Sequence, residues 1–205
     1  MDLEKKIELI CRPPTEEVIT PEDLRQLCFE LGGRMLQLGG VANMIAEGKK
    51  LSEKLIASGK ALDKFRQMVE LQGGDPRVID DPEKLPRARH TMILSSPRSG
   101  YLASLQCEQV GTACVILGGG RERKEDPVDP TVGIVLHKKV DDAVSIGEPL
   151  ATVHYNQEGL AHRARELLVK SYRITDLPVA KKRPLIHRVI AHDRTRVIGN
   201  PGEKN

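Results

Sequence analysis

One segment of the sequence combines glycines with clustered cations and has the composition of an anion-binding loop. Three consecutive glycines precede three cationic side chains, and these six residues are Gly118, Gly119, Gly120, Arg121, Arg123 and Lys124. Glycine lets the backbone approach a ligand closely, and the planar donor fork of arginine matches phosphate oxygens. We call residues 118–129 the cationic loop and interpret it as a mobile loop whose cations face an anionic substrate across a cleft.

The same residues also permit a structural interpretation. Glycine commonly ends a helix because it adopts the left-handed conformation without strain. The acidic side chains of Glu125, Asp126 and Asp129 could neutralise the cations in solvent. The loop contains neither G-x-G-x-x-G nor G-K-[ST], which excludes a dinucleotide-binding or Walker loop. Anion binding and a capped helix end are therefore both open interpretations.

The composition argues against several other kinds of site. The histidines and cysteines show no ligand spacing, so we expect no metal site, and no cofactor is expected either. With two Phe, three Tyr and no Trp, the chain offers few surfaces on which bases could stack. Net charge is only +3 and the basic residues are scattered. We interpret the densest basic patch, residues 181–183, as solvated surface and expect no nucleic-acid partner.

The sequence also bears on location. It contains no secretory signal and no apolar run of the ~20 residues needed to span a membrane. Its four cysteines lie far apart or within apolar helical patterns, which is typical of reduced thiols. We expect a cytoplasmic protein that does not bind membranes.

The elements before the loop are helical. A short apolar-periodic piece covers residues 3–10, and Thr20 with Pro21 and two acids marks a helix start. An apolar stripe follows to Leu38, interrupted at Gly32-Gly33, where either the helix breaks or close packing demands small residues. Further helices are predicted at residues 51–57 and 61–71. Three helices cannot bury a sizeable core alone, so this segment needs something else to pack on.

After residue 89 the pattern changes to strands mixed with helices. Strands are predicted at 90–94, 101–105, 133–140, 149–155 and 184–190, and helices at 107–117 and 158–171. Turns are expected at Asp141-Asp142 and Ile146-Gly147. The fold class is therefore α+β. The predicted organisation is a helical segment over 1–75, a proline-rich linker over 76–89, an α+β domain over 90–190 and a flexible tail over 191–205.

Three stretches occur in a characteristic order. Residues 72–77 read QGGDPR and are followed by Asp80-Asp81-Pro82 and Leu85-Pro86, residues 118–130 read GGGRERKEDPVDP, and residues 132–140 and 147–154 read VGIVLHKKV and GEPLATVH. Together they resemble the pyrimidine-nucleoside (thymidine) phosphorylase family over roughly residues 20–190. The resemblance implies a C-terminal half: a helical segment of the phosphorylase α/β domain followed by an α/β hammerhead, or barrel-sandwich-like, domain.

The resemblance implies a reaction and its partners. Members cleave a pyrimidine nucleoside with phosphate, reversibly, to the free base and (deoxy)ribose 1-phosphate. In the family, a Lys-x-Ser-x-Gly-Gly loop holds phosphate, and the base is held by a histidine, an arginine and a Ser-x-x-x-Lys set, all in the N-terminal half. This sequence contains no Lys-x-Ser-x-Gly-Gly, so no catalytic residue is assigned to it. We expect an N-terminal phosphorylase half or a homodimer as partner.

Two further interpretations follow from the same motifs. The absent catalytic motifs also fit a non-catalytic remnant or an interaction module built on the same domain. The strand-turn-strand of residues 132–154 is similar to halves of lipoyl and biotinyl carrier domains, but the second strand continues as VHYN and lacks the lysine that a carrier modifies. A carrier role is therefore not expected.

Overall fold

The computed structural model describes residues 22–178 and 184–190, and the backbone of 195–196. The chain divides into two compact units. The helical unit comprises Thr20–Leu55 and Lys181–Asn205, and the mixed unit comprises Met1–Ile19 and Ile56–Ala180. The helix predicted at 3–10, the helix start at Thr20 and most of the predicted tail lie outside the described residues.

Helix α1 (Glu22–Leu38) runs without a break through Gly32-Gly33. Of the two explanations for these glycines, close packing is the one observed. A Cβ on Gly33 would lie 2.8 Å from the Ile45 carbonyl oxygen, and a Cβ on Gly48 would lie 2.5 Å from the Gly33 carbonyl oxygen. The backbones of α1 and of the next helix therefore approach more closely than any side chain at these positions would allow.

Helix α2 (Ile45–Ala57) begins six residues before the start predicted at Leu51. The reason lies in its first turn. The Glu47 carboxylate accepts hydrogen bonds from the backbone N–H groups of Asn43 at 3.0 Å and Met44 at 3.3 Å. This satisfies donors that the helix leaves without partners, so a glutamate at the third helical position stabilises the start.

Helix α3 (Lys60–Leu71) agrees with its prediction, and the proline-rich stretch after it is folded into two short 3-10 turns, Pro76–Ile79 and Pro82–Lys84. The Arg66 guanidinium donates to both carboxylate oxygens of Asp80, at 2.7 and 2.8 Å. Ile79 is 1 % exposed. These contacts attach the stretch to α3, and the domain bounds drawn from the sequence stay a prediction.

Two antiparallel three-stranded sheets and two helices form the rest of the mixed unit. The strands are β1 (His90–Ser95), β2 (Gly100–Leu105), β3 (Gly133–Leu136), β4 (Ala143–Val144), β5 (Pro149–Tyr155) and β6 (Tyr172–Thr175), in the orders β1-β5-β3 and β4-β2-β6. Helix α4 (Cys107–Cys114) follows β2 and α5 (Glu158–Ser171) follows β5. In the helical unit, β7 (Val189–Ile190) pairs with β8 (Thr195–Arg196). The α+β class is confirmed, and neither three-stranded sheet closes into a barrel within the described residues.

The structure corrects several strand predictions. Strand β3 ends at Leu136 instead of residue 140, and β7 keeps only the last two residues of the predicted 184–190 strand. The predicted hairpin exists, since β3 pairs with β5 from Gly133 opposite His154. The segment that connects β3 to β5 is more than a turn, however, because it contains β4, which pairs with β2 in the other sheet. Strand β6 was not predicted and also pairs with β2.

The core of the mixed unit lies between the β1-β5-β3 sheet and helices α4 and α5. Its buried members are Leu94, Ala113, Leu117, Val132, Ala151, Val153, Ala161, Ala164 and Leu168. The two sheets are also joined by Tyr172, whose hydroxyl donates to the Leu150 carbonyl at 3.2 Å. Burial raises the pKa of this phenol to about 12. Leu117 lies in the helical turn that follows α4, and Val132 precedes β3. The cationic loop between them is therefore held by the core at both ends.

Candidate functional site

The three glycines close the cationic loop against the end of α4. The helix continues as one π-helical turn, Val115–Gly119, in which Gly118 has a φ of 99°, a left-handed conformation that favours glycine. The Gly118 carbonyl accepts a hydrogen bond from the Asp129 backbone N–H at 2.8 Å. A Cβ on Gly119 would lie 2.9 Å from the Cys114 sulfur, and one on Gly120 would lie 2.7 Å from a Val115 methyl. Local backbone conformation or close packing therefore explains the presence of each of the three glycines.

The three cations lie on the exposed part of the loop. Arg121, Arg123 and Lys124 are all solvent-exposed, and none of their side chains forms an ion pair with the residues that the structure describes. The tip is shaped by Asp126, whose carboxylate accepts from the Arg123 backbone N–H at 2.8 Å and whose own N–H donates to the Arg123 carbonyl at 3.1 Å. Asp126 thus contacts the backbone and leaves the Arg123 guanidinium available.

A small polar network fixes the far end of the loop. Asp129 accepts hydrogen bonds from the Thr131 N–H at 2.9 Å, the Thr131 hydroxyl at 2.6 Å and the Asn156 amide at 2.7 Å. Asn156 in turn accepts from the Arg89 N–H at 2.8 Å. The Thr131 hydroxyl, followed by its N–H and the Asn156 amide, lowers the pKa of the Asp129 carboxyl below its ordinary 3.8. The network joins the loop to one end of the β1-β5 pair, where His90 lies opposite Tyr155.

The resulting arrangement is an anchored loop with an exposed cationic tip. It can attract and orient an anion, because guanidinium and ammonium groups without protein partners are free to donate to phosphate or carboxylate oxygens. Of the charges expected to neutralise the cations, Asp126 and Asp129 bind backbone and polar side-chain donors instead. The assignment of Gly118 to Lys124 as a substrate-cleft loop stays a prediction.

Two histidines lie in or next to the β3-β5 pair. His154 is in β5, and His137 follows β3 directly, with its Nε2 atom 2.8 Å from the Thr152 hydroxyl. In the described part of the chain, no group of three or more His, Cys, Asp or Glu side chains is placed to hold a metal ion. None of the described helices combines the length and the apolar composition needed to cross a membrane.

Sequence reasoning did not find the network around Asp129. A local signal exists, since an aspartate two residues before a threonine is typical of a turn in which the side chain accepts a backbone N–H. The contribution of Asn156 has no local signal. It lies 27 residues from Asp129 along the chain, and only the pairing of β3 with β5 brings the two together.

Comparison with known proteins finds a family match for part of the mixed unit. Residues 101–175 match the model of the pyrimidine nucleoside phosphorylase C-terminal domain. Residues 101–175 therefore form a domain similar to the C-terminal domain of the pyrimidine-nucleoside phosphorylases. The matched range runs from β2 to β6 and includes the whole cationic loop, so the resemblance drawn from the three motifs is confirmed.

Individual relatives extend the similarity beyond this domain. Each is a pyrimidine-nucleoside phosphorylase. That of Geobacillus stearothermophilus is 40 % identical over 159 residues, which are 78 % of this chain and 36 % of the relative. That of Bacillus subtilis strain 168 is 38 % identical over 171 residues, 83 % of this chain and 39 % of the relative. That of Staphylococcus aureus strain USA300 is 40 % identical over 170 residues, with coverages of 83 % and 39 %. This chain therefore spans well under half the length of the relatives it matches.

Proposed function

We propose that the chain supplies the C-terminal part of a pyrimidine-nucleoside phosphorylase. The reaction would be reversible phosphorolysis of a pyrimidine (deoxy)nucleoside to the free base and (deoxy)ribose 1-phosphate, with phosphate and nucleoside as substrates. The observation that carries the proposal is the family match over residues 101–175, together with three relatives of the same name. A cytoplasmic location stays a prediction.

The proposal includes inactivity of the chain by itself. Phosphorolysis requires that phosphate be positioned against the anomeric carbon and that charge on the departing base be stabilised. The sequence lacks the family's Lys-x-Ser-x-Gly-Gly phosphate loop. The cationic loop offers donors but no base-binding constellation. We therefore expect catalysis only when the part of the relatives that lies outside the match is also present.

Within such an enzyme, we assign the cationic loop to the phosphate substrate. Arg121, Arg123 and Lys124 carry exposed positive charges without ion-pair partners among the described residues, whereas the loop is anchored at both ends by Gly118 and Asp129. Fixed ends limit the entropy lost when the tip closes on an anion. The loop would attract phosphate and hold it while the residues of the other part act on the nucleoside.

Alanine substitution of the loop cations tests this assignment. In a reconstituted enzyme, made by co-expressing this chain with the remainder of the Bacillus subtilis relative, Arg121→Ala and Arg123→Ala should each raise the KM for phosphate about tenfold, the value of one charged hydrogen bond. The KM for nucleoside should change much less. Arg165→Ala removes an equally exposed cation from α5 and serves as the matched control. Unchanged KM values for phosphate in both loop variants would contradict the assignment of the loop to the phosphate substrate.

The absent phosphate loop supports a second candidate, a non-catalytic interaction module built on the same domain. One experimental result distinguishes this module from the catalytic role proposed above. If the co-expressed polypeptides form a complex that releases no base from thymidine or uridine, although the intact Bacillus subtilis relative does so in the same assay, the module interpretation is the better one.

A further inference from the structure

Helix α1 carries an apolar stripe that faces solvent. Leu31, Met35 and Leu38 occur at positions i, i+4 and i+7, which places them on one face of the helix, and they are 52 %, 71 % and 87 % exposed. Val41 and Met44, in the connection to α2, continue the run with 63 % and 57 % exposure. We call these five residues the α1 stripe.

The stripe is held in a defined shape. The Gly39 N–H donates to the Met35 carbonyl at 2.9 Å, and the Val41 and Ala42 N–H groups donate to the Leu36 carbonyl at 2.9 and 3.2 Å. Gly40 has a φ of 71°, the left-handed conformation of a helix end. The connection therefore turns sharply, and the backbone that carries the stripe is held in a defined conformation.

The packing of α1 against the described residues of the helical unit leaves this stripe largely exposed. The residue that α1 buries is Gly33, at the crossing with α2. Beside that crossing, the Glu30 carboxylate pairs with both Arg34 and Lys49. Polar groups thus accompany the α1-α2 contact, whereas large apolar side chains point to solvent. Large apolar side chains exposed along one helix face are typical of an interaction site.

We infer that the α1 stripe is the docking surface for the part of a pyrimidine-nucleoside phosphorylase that this chain does not span. The inference rests on the proposed function. It commits to this occupant because the relatives carry more than half of their length outside the match, at coverages of 36 % to 39 %. A segment of that size needs an extensive apolar contact to remain associated with the matched part, and the stripe offers a pre-ordered one.

The test uses charge substitutions on the stripe. The 205-residue chain is co-expressed with a polypeptide comprising the residues of the Bacillus subtilis relative outside the match. The dissociation constant of the co-purified complex is measured by sedimentation over a dilution series. Met35→Glu and Leu38→Glu should each weaken the complex at least about tenfold, because a carboxylate would be buried without a partner. Leu177→Glu, at a 76 % exposed leucine of the mixed unit, is the matched control and should change the constant less than about twofold.

Other occupants give different results. If all three variants bind like the unmodified chain, or if the unmodified chain forms no complex, the inference is overturned. If Met35→Glu and Leu38→Glu instead lower the melting temperature of the isolated chain, a segment of the chain itself covers the stripe. If the two substitutions dissociate a dimer of the isolated chain and leave the complex intact, a second copy of the chain covers the stripe. Either result also overturns the inference.

Base release from thymidine and uridine is measured on the same samples. A complex that forms through the stripe and releases no base contradicts the proposed function and leaves the docking surface standing. An active complex whose dissociation constant is unchanged by Met35→Glu and Leu38→Glu contradicts the docking surface and is consistent with the proposed function.

Discussion

Among single residues, Asp129 makes several of the hydrogen bonds that close the cationic loop. Its carboxylate accepts from Thr131 twice and from Asn156 once, and its N–H reaches the Gly118 carbonyl. The side chain thus holds one end of the loop and the backbone holds the other. The Asp129 carboxylate therefore binds Thr131 and Asn156 and not the cations at the tip.

Asp129→Ala should lower the free energy of unfolding by about 1–2 kcal/mol at pH 7, because three donors lose their acceptor in a partly exposed site. Thermal unfolding followed by circular dichroism measures the loss. Glu125→Ala, at an exposed loop position, should have little effect and controls for the change in loop charge.

The effect of Asp129 should depend on pH in one direction. The pKa of this carboxyl is lowered in the folded chain from 3.8, so its stabilisation is fully present above 3.8 and is lost as the pH falls through the folded value. The difference in stability between the unmodified chain and Asp129→Ala should therefore shrink below pH 3.8. A difference that stays constant down to pH 2 would contradict the assigned role.

At the scale of elements, the contact between α1 and α2 depends on two glycines. Gly48→Ala would place a Cβ 2.5 Å from the Gly33 carbonyl oxygen and 2.9 Å from its Cα. Backbone atoms cannot move aside as a flexible side chain can, so the helices must separate. We expect a loss of about 1–3 kcal/mol in the stability of the helical unit, measured by the thermal loss of ellipticity at 222 nm.

Gly111→Ala provides the matched control for this change. Gly111 lies within α4 and a Cβ there would meet nothing within 4 Å. Alanine has the better helix propensity, so this variant should be more stable by up to about 1 kcal/mol. If Gly48→Ala were as stable as Gly111→Ala, the glycine contact would not determine the packing of α1 on α2.

Elements whose signals are local were predictable from the sequence. Strands β1, β2 and β5 and helix α5 agree with their predicted bounds to within a residue, because alternation of apolar and polar side chains, helical periodicity and flanking turn residues all lie within each segment. The glycines that end the helical turn after α4 were predictable for the same reason.

Elements that depend on distant partners were not predictable. Strand β4 has two residues and exists because β2 pairs with it, and β6 exists because β2 pairs with it on the other side. Neither segment carries an alternation long enough to be recognised. The site divides in the same way: the cations of the loop were visible in the sequence, whereas the anchoring by Asn156 depends on the fold.

At the scale of the whole molecule, the described residues contain one buried core, in the mixed unit, and an apolar stripe without a partner in the helical unit. Only the first of these matches the family's C-terminal domain model. The catalytic proposal therefore concerns an assembly of which this chain is one part, with the cationic loop as its contribution to substrate binding and the α1 stripe as its contribution to association.

The most direct test compares two samples in one assay, the release of free base from thymidine and uridine in the presence of phosphate. The first is the purified 205-residue chain, and the second is the same chain co-purified with the remainder of the Bacillus subtilis relative. Our account predicts no release by the first and phosphate-dependent release by the second. Phosphate-dependent release by the chain alone would contradict it, and would mean that the residues described here hold both phosphate and base.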